Sequence, residues 1–142
     1  MTEKTMDLTI VSAESALFSG KVTRLIATGG SGQLGIYPGH TALLTAIKPG
    51  TMEFVLDSGE EHVYYTSGGF LEVQPNVVTV LANTASRAED LDELAAETAK
   101  EQAEAVLSEK AQDIDYTKAM AELAEATAQL RAIQSLRKLI KK

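Results

Sequence analysis

The amino-acid sequence predicts two unlike parts, an antiparallel β-sandwich or barrel over residues 1–86 and an α-helical hairpin over 87–142. Three observations predict it. Short segments of period-two hydrophobicity, punctuated by turn residues, fill the first part. Gly and Pro disappear after Pro75. From about residue 86 onward Ala, Glu, Gln, Lys and Leu take over, the residues of highest helix propensity.

Strands are expected between residues 5 and 84, in order along the chain. MDLTIVS (6–12) sets Met6, Leu8 and Ile10 against Asp7 and Thr9, the alternation of a half-buried strand. A break is expected at Ser19-Gly20, after which KVTRLIAT (21–28) puts Val22, Arg24 and Ile26 on one face and Thr23 and Leu25 on the other. TMEFVL (51–56) aligns Met52, Phe54 and Leu56, then meets Asp57-Ser58-Gly59-Glu60, a turn cluster suited to a hairpin. HVYYTS (62–67), GFLEVQ (69–74) and VVTVLA (77–82) follow, the last two parted by Pro75-Asn76, another turn signal.

Two helices are expected at about 91–110 and 116–139, joined by a short connection and folded back antiparallel. Ser86 with Glu89, or Asp90 with Glu93, supplies the spacing of a reciprocal cap for the first helix. Asp113 or Asp115 is the candidate cap of the second. The apolar stripe is thin: Leu91, Leu94, Val106 and Leu107 on one helix, and Met120, Leu123, Leu130 and Ile133 on the other, diluted by alanine. Alanine buries little area, so docking through such a face is weak. The pattern fits a hairpin that leaves its dock as well as one that stays. An antiparallel arrangement also sets the basic end of the second helix (Arg131, Arg137, Lys138, Lys141, Lys142) beside the acidic start of the first (Glu89, Asp90, Asp92, Glu93). Both ends complement their helix dipoles.

Several chemistries are disfavoured. The chain has no Cys, which removes disulfides, thiolate nucleophiles and Cys-based metal sites. A formal charge of −7 opposes general nucleic-acid binding. No apolar run approaches the ~20 residues of a membrane span, and MTEKTMDLTI lacks the layout of a secretion signal, so a soluble cytoplasmic chain is expected. GGSGQLGIYPGH (29–40) carries Gly30, Gly32 and Gly35 in a G-x-G-x-x-G frame. A dinucleotide site needs a helix directly after those glycines, whereas Ile36-Tyr37-Pro38-Gly39 turns the chain again. The glycines are instead expected to serve positive φ in a tight connection. His62 is expected to be an ordinary surface histidine, and no spacing selects catalytic or metal-ligating residues. The residues therefore describe a binding or mechanical protein with no catalytic centre, metal or cofactor.

Longer stretches carry a specific resemblance. SAESALFSG (12–20), GQLGIYPGHTALLTAIKPG (32–50), SGGFLEVQPNVVTVLA (67–82), RAEDLDELAA (87–96) and DYTKAMAELAEATAQLRAIQ (115–134) resemble, in order, the epsilon subunits of ATP synthase. The resemblance implies a ten-stranded sandwich followed by a two-helix hairpin. It implies a non-catalytic rotor component at the cytoplasmic face of the bacterial inner membrane, peripheral to it, coupling the gamma subunit to the c-ring. The helical part of such proteins extends toward the alpha and beta subunits and inhibits ATP hydrolysis. Carried onto this chain, the resemblance puts Ser31, Gln33 and His40 at the edge facing the c-ring. Gln33 stands where relatives commonly have Glu, which removes the charge from that contact. Arg131, Arg137 and Lys138 are the candidate inhibitory contacts to acidic segments. An ATP-binding [I/L]-D-x-x-R-A motif survives here only as Leu91 and Asp92, with Ala95 in place of the Arg. Without a cation to meet phosphate charge, weak or absent ATP binding is expected.

Overall fold

The computed structural model describes residues 4–108 and 116–140. Its strands are β1 (Met6–Ser12), β2 (Ala16–Gly29), β3 (Gly32–Ile36), β4 (Leu43–Ile47), β5 (Gly50–Leu56), β6 (Glu61–Thr66), β7 (Gly69–Val73), β8 (Val77–Ala82) and β9 (Ala85–Arg87). A 3-10 turn, Ala88–Asp90, leads to the helices α1 (Glu93–Ser108) and α2 (Tyr116–Ile140). The described residues thus hold nine strands rather than ten.

The strands pair in the order β1-β8-β7-β4-β2-β5-β6-β9, with β3 on β2 and β1 closing back onto β2. Neighbours pair antiparallel, with one exception: β1 runs parallel to β8, from Asp7 opposite Val77 to Ser12 opposite Ala82. Turn signals reveal only pairings between strands close in the chain, so this distant partnership left no mark in the sequence. Met6, Leu8, Ile10, Leu25, Met52, Phe54, Tyr64, Leu71, Val73, Val78 and Val80 fill the space between the layers. The Asp57–Glu60 hairpin forms as expected, closed by the Leu56 amide on the Glu60 carbonyl at 2.8 Å. Gly59 supplies its positive φ of 92°.

The expected break at Ser19-Gly20 does not occur. β2 runs straight through it, pairing with β1 on its first half and with β5 and β3 on its second. The missing Cβ of Gly20 leaves room for the Phe18 ring, whose nearest atom would lie 3.1 Å away. The expected face assignment also fails in the middle of this strand. Its register shifts between Val22 and Arg24, and such a bulge exchanges the two faces of a strand. Val22, Leu25 and Ala27 are consequently buried while Arg24 is exposed.

The helices form an antiparallel pair, and of the apolar stripe expected on them Ile133 alone is buried. Leu94 and Met120 remain 72% and 60% exposed. The buried positions are Ala96 and Ala103 on α1, and Ala119, Ala126, Ala128, Ala132 and Ile133 on α2. Seven-residue spacing puts Ala96 and Ala103 on one face, and likewise Ala119, Ala126 and Ile133. Small side chains let two helix backbones approach closely, so alanine itself forms the seam. Neither expected cap of α1 is used. Asp92 Oδ1 accepts the Ala95 amide at 3.1 Å instead, two residues past the nearer expected cap, Asp90. The Asp113 and Asp115 caps, and Lys141 and Lys142, lie outside the described residues.

Candidate functional site

Three surfaces concentrate the features that bear on function: the dock of α2, the β3 edge and an apolar sheet face. At the dock, α2 crosses β5, β6 and the 3-10 turn. Ala128 and Ala132, flanked by Leu136 and Leu139, lie against Val63, Tyr65, Ala88 and Leu91. Burying an alanine methyl contributes about 0.8 kcal/mol, against about 1.5–3 kcal/mol for a leucine side chain. Ala128 and Ala132 therefore contribute less to the dock than the leucines and the Tyr65 ring around them. Burial at this interface, together with the nearby Glu125 carboxylate of α2, pushes the pKa of the Tyr65 hydroxyl from 10.0 up to about 12.

The three basic candidates on α2 part company. Arg137 turns back onto α1, where its two terminal nitrogens grip both oxygens of Glu93, the Nη1 contact at 3.0 Å. Glu93, and more weakly Glu97, hold the guanidinium in its charged form, above its ordinary range. Arg131 instead lines a groove of about 410 Å³ with Thr28, Gly32, Gln33 and Thr51. Lys138 lines a cavity of about 240 Å³ between α2 and the sandwich, together with Arg24, Glu53, Glu61, His62 and Ser135. His62, expected at the open surface, is half-buried there. Its ring stacks on Phe54 with centroids 5.3 Å apart and planes at 6°. Its Nε2 lies 3.5 Å from Glu60 Oε1.

At the β3 edge, Gly30 and Ser31 form the two-residue turn between β2 and β3, and Gln33 pairs opposite Thr28. Of the three glycines in the nucleotide-like frame only Gly32 needs its freedom, with φ at 132°. The segment after Gly32 is the strand β3, so no helix N-terminus is available for a pyrophosphate. Ser31 and Gln33 are both exposed. His40 is half-exposed, with Nδ1 2.6 Å from the Thr41 carbonyl oxygen. It lies past the far end of β3, next to Gly39, whose amide donates to the Pro75 carbonyl. A five-residue strand spans about 14 Å at ~3.4 Å per step, so the edge carries all three residues but its tip carries only Ser31 and Gln33.

The third surface escaped notice in the sequence. Leu44, Phe70 and Leu81 are 70%, 55% and 48% exposed. They stand on the adjacent strands β4, β7 and β8, with Phe70 directly opposite Leu81 and Ala46. Their neighbours Leu71, Val73, Val78 and Val80 point into the core, so this row faces outward from the layer that α2 does not touch. Each strand alone shows only one or two exposed apolar residues, which is ordinary. Only lateral pairing assembles them into a patch.

Of the ATP-motif residues, Leu91 packs at the dock and Asp92 caps α1. Among the described residues no group of His, Asp and Glu could hold a metal ion, and no helix is long and apolar enough to cross a membrane.

Residues 5–88 match the family described as ATP synthase, Delta/Epsilon chain, beta-sandwich domain. Residues 89–134 match its companion, the long alpha-helix domain. A protein named ATP synthase epsilon chain from Chromohalobacter salexigens is 61% identical over 90% of this chain and 91% of its own length. One of the same name from Legionella pneumophila is 54% identical over 96% and 98%. In solved structures the fold recurs in a Euglena gracilis mitochondrial ATP synthase, with a TM-score of 0.82 at 22% identity, covering 91% of this chain and 81% of that one. It recurs again in the central stalk and c-ring structure of a Tetrahymena thermophila mitochondrial ATP synthase, with a TM-score of 0.62 at 16% identity over 94% and 99% of the two chains.

Proposed function

The chain belongs to the ATP synthase delta/epsilon family as an epsilon subunit of the F-type central stalk, and from that premise we propose that it couples the gamma subunit to the c-ring and restrains ATP hydrolysis through its hairpin. It contributes no catalytic group; catalysis belongs to other subunits. It sits at the cytoplasmic face of the bacterial inner membrane, held there through the complex.

The observation that carries this reading is the division of labour between the two outer faces of the sandwich. One face is covered by α2 through an alanine-lined, weakly held interface. The other exposes the Leu44, Phe70 and Leu81 row, the kind of contiguous apolar patch that marks a protein interface. A firm contact on one side and a releasable element on the other suit a rotor component with a movable brake. We assign the apolar row to gamma and the Ser31–Gln33 tip to the c-ring, where Gln33 contributes hydrogen bonds without charge. His40 belongs to the same c-ring-facing edge. In the extended state Arg131, Arg137 and Lys138 meet acidic segments of the beta subunits.

The movable part begins after residue 86, where β9 is about to end and the sandwich core is complete. Removing the chain after residue 86 from the assembled enzyme is expected to raise ATP hydrolysis. A truncated complex that hydrolyses ATP no faster than the intact one refutes the inhibitory role and leaves the coupling role standing.

ATP binding to the isolated subunit is expected to be weak or absent. Asp92 already spends a carboxylate oxygen on the Ala95 amide, Leu91 is packed at the dock, and position 95 offers no guanidinium. Micromolar affinity in a calorimetric titration with ATP would contradict this.

A further inference from the structure

We propose that the acidic face of α1 is an internal substitute for the partner surface that Arg137 binds, with Glu93 as the residue that holds Arg137 out of use while the hairpin is folded. This rests on the inhibitory reading above and adds a regulatory device to it. The geometry is a two-point grip between residues 44 apart in the chain, from the first turn of α1 to the last turns of α2. A guanidinium fork that faces one carboxylate with both terminal nitrogens cannot present that same edge to a second. Engagement of an acidic partner through that edge and retention by Glu93 therefore compete for the same two nitrogens. Release is an exchange of carboxylates.

The rest of α1 extends the likeness to an acidic partner. Glu97, Glu101 and Glu104 continue from Glu93 along one groove of about 480 Å³, with Lys100 as its one cation against four carboxylates and Leu130 and Gln134 of α2 on its other side. Glu97 is the second carboxylate that Arg137 senses. Arg131 and Lys138 have no share in this groove; they line spaces facing the sandwich. The three basic residues thus separate into one masked by α1 and two set against the β-domain.

The pair is solvent-accessible on both sides, with side chains 55% and 37% exposed. Exposed pairs have modest worth, so its loss is expected to alter the balance about two- to fivefold, not to abolish it. The test is a double-mutant cycle in the full complex. Glu93→Gln is expected to deepen inhibition of ATP hydrolysis about two- to fivefold, and Glu93→Asp to stay near the parent. Arg137→Gln is expected to relieve inhibition, and Glu93→Gln/Arg137→Gln to match Arg137→Gln alone. A Glu93→Gln complex inhibited no more than the parent overturns the proposal. So does an additive double variant, because weakening of the α1 start would then act independently of Arg137. The truncation after residue 86 separates this from the parent reading. If truncation activates hydrolysis while Glu93→Gln changes nothing, the exchange is wrong and the brake survives. If truncation changes nothing, the brake itself is refuted and the exchange with it.

Discussion

The Tyr65 hydroxyl leaves water only because α2 covers β6, so its ionisation is tied to docking. Neutral tyrosine fits the interface; tyrosinate would have to shed its hydration beside the Glu125 carboxylate. Its pKa rises from 10.0 to about 12 in the folded chain. A raised acid contributes its full stabilisation below the unfolded value and loses it as pH climbs through the folded one. Docking is expected to hold up to about pH 10 and to fail between there and pH 12. Tyr65→Phe is expected to remove that pH step while keeping the ring packed against Ala128 and Ala132 of α2. Cysteines at Thr51 and Thr127, which line one groove from opposite sides, joined by a short bis-maleimide, measure the docked fraction; the native chain has no competing thiol. An unchanged alkaline step in the Phe variant would show that another group controls it. Nothing in HVYYTS distinguishes Tyr65 from Tyr64. Alternation puts one tyrosine in and one out, and only the arrival of α2 buries both.

At the scale of the element, α2 is the helix whose two faces do different work. Ala119, Ala126 and Ile133 share one face, while Ala128 and Ala132 meet the sheet. Ala132 is fully buried, so a larger side chain there has no space to enter. Overpacking costs about 1–3 kcal/mol in a close-packed site. In the core of the sandwich such a cost is absorbed by dozens of other contacts. At the smaller dock of α2 fewer contacts share that cost, so it is a larger fraction of what holds the helix in place. Ala132→Leu is expected to empty the docked state while leaving the thermal midpoint of the sandwich unchanged. Loss of the Thr51–Thr127 cross-link with an unshifted sandwich transition is the signature to look for. A retained cross-link would mean that the dock is firmer than its alanines suggest. The helices themselves were legible from propensity and from the absence of Gly and Pro. Their buried faces were not, because a periodicity search favours large apolar residues, and here Leu94 and Met120 point to solvent while methyl groups make the seam.

For the whole molecule, the sandwich is a spacer with occupied and unoccupied sides. Phe70 stands in the middle strand of the apolar row, with side neighbours on both β4 and β8. A charge there would be buried in the assigned gamma contact and solvated in the free subunit, so it separates binding from folding. Phe70→Glu is expected to abolish co-purification with gamma and to leave the melting of the isolated chain within ~0.5 kcal/mol of the parent, as for an ordinary surface change. Co-purification of the variant at parental yield would move the gamma contact to another face.

The two-part architecture, most strand positions, the Asp57–Glu60 turn and the proximity of basic and acidic helix ends are already written in the order of the amino acids. These rest on local physics: alternation, helix propensity, turn chemistry and dipole-compatible charge, all readable within a few residues. The tertiary structure alone decided the parallel β1–β8 partnership, the face reversal at Val22, the cap at Asp92 and the stacking of His62 on Phe54. It also decided which arginine is held and which sheet face stays open. Each of these depends on a neighbour far along the chain, or on a one-residue shift of register that exchanges inside for outside. The three-glycine frame shows the difference in one place. Its letters match a phosphate loop, but the strand that follows Gly32 pairs with β2 and leaves no helix end for a phosphate to meet.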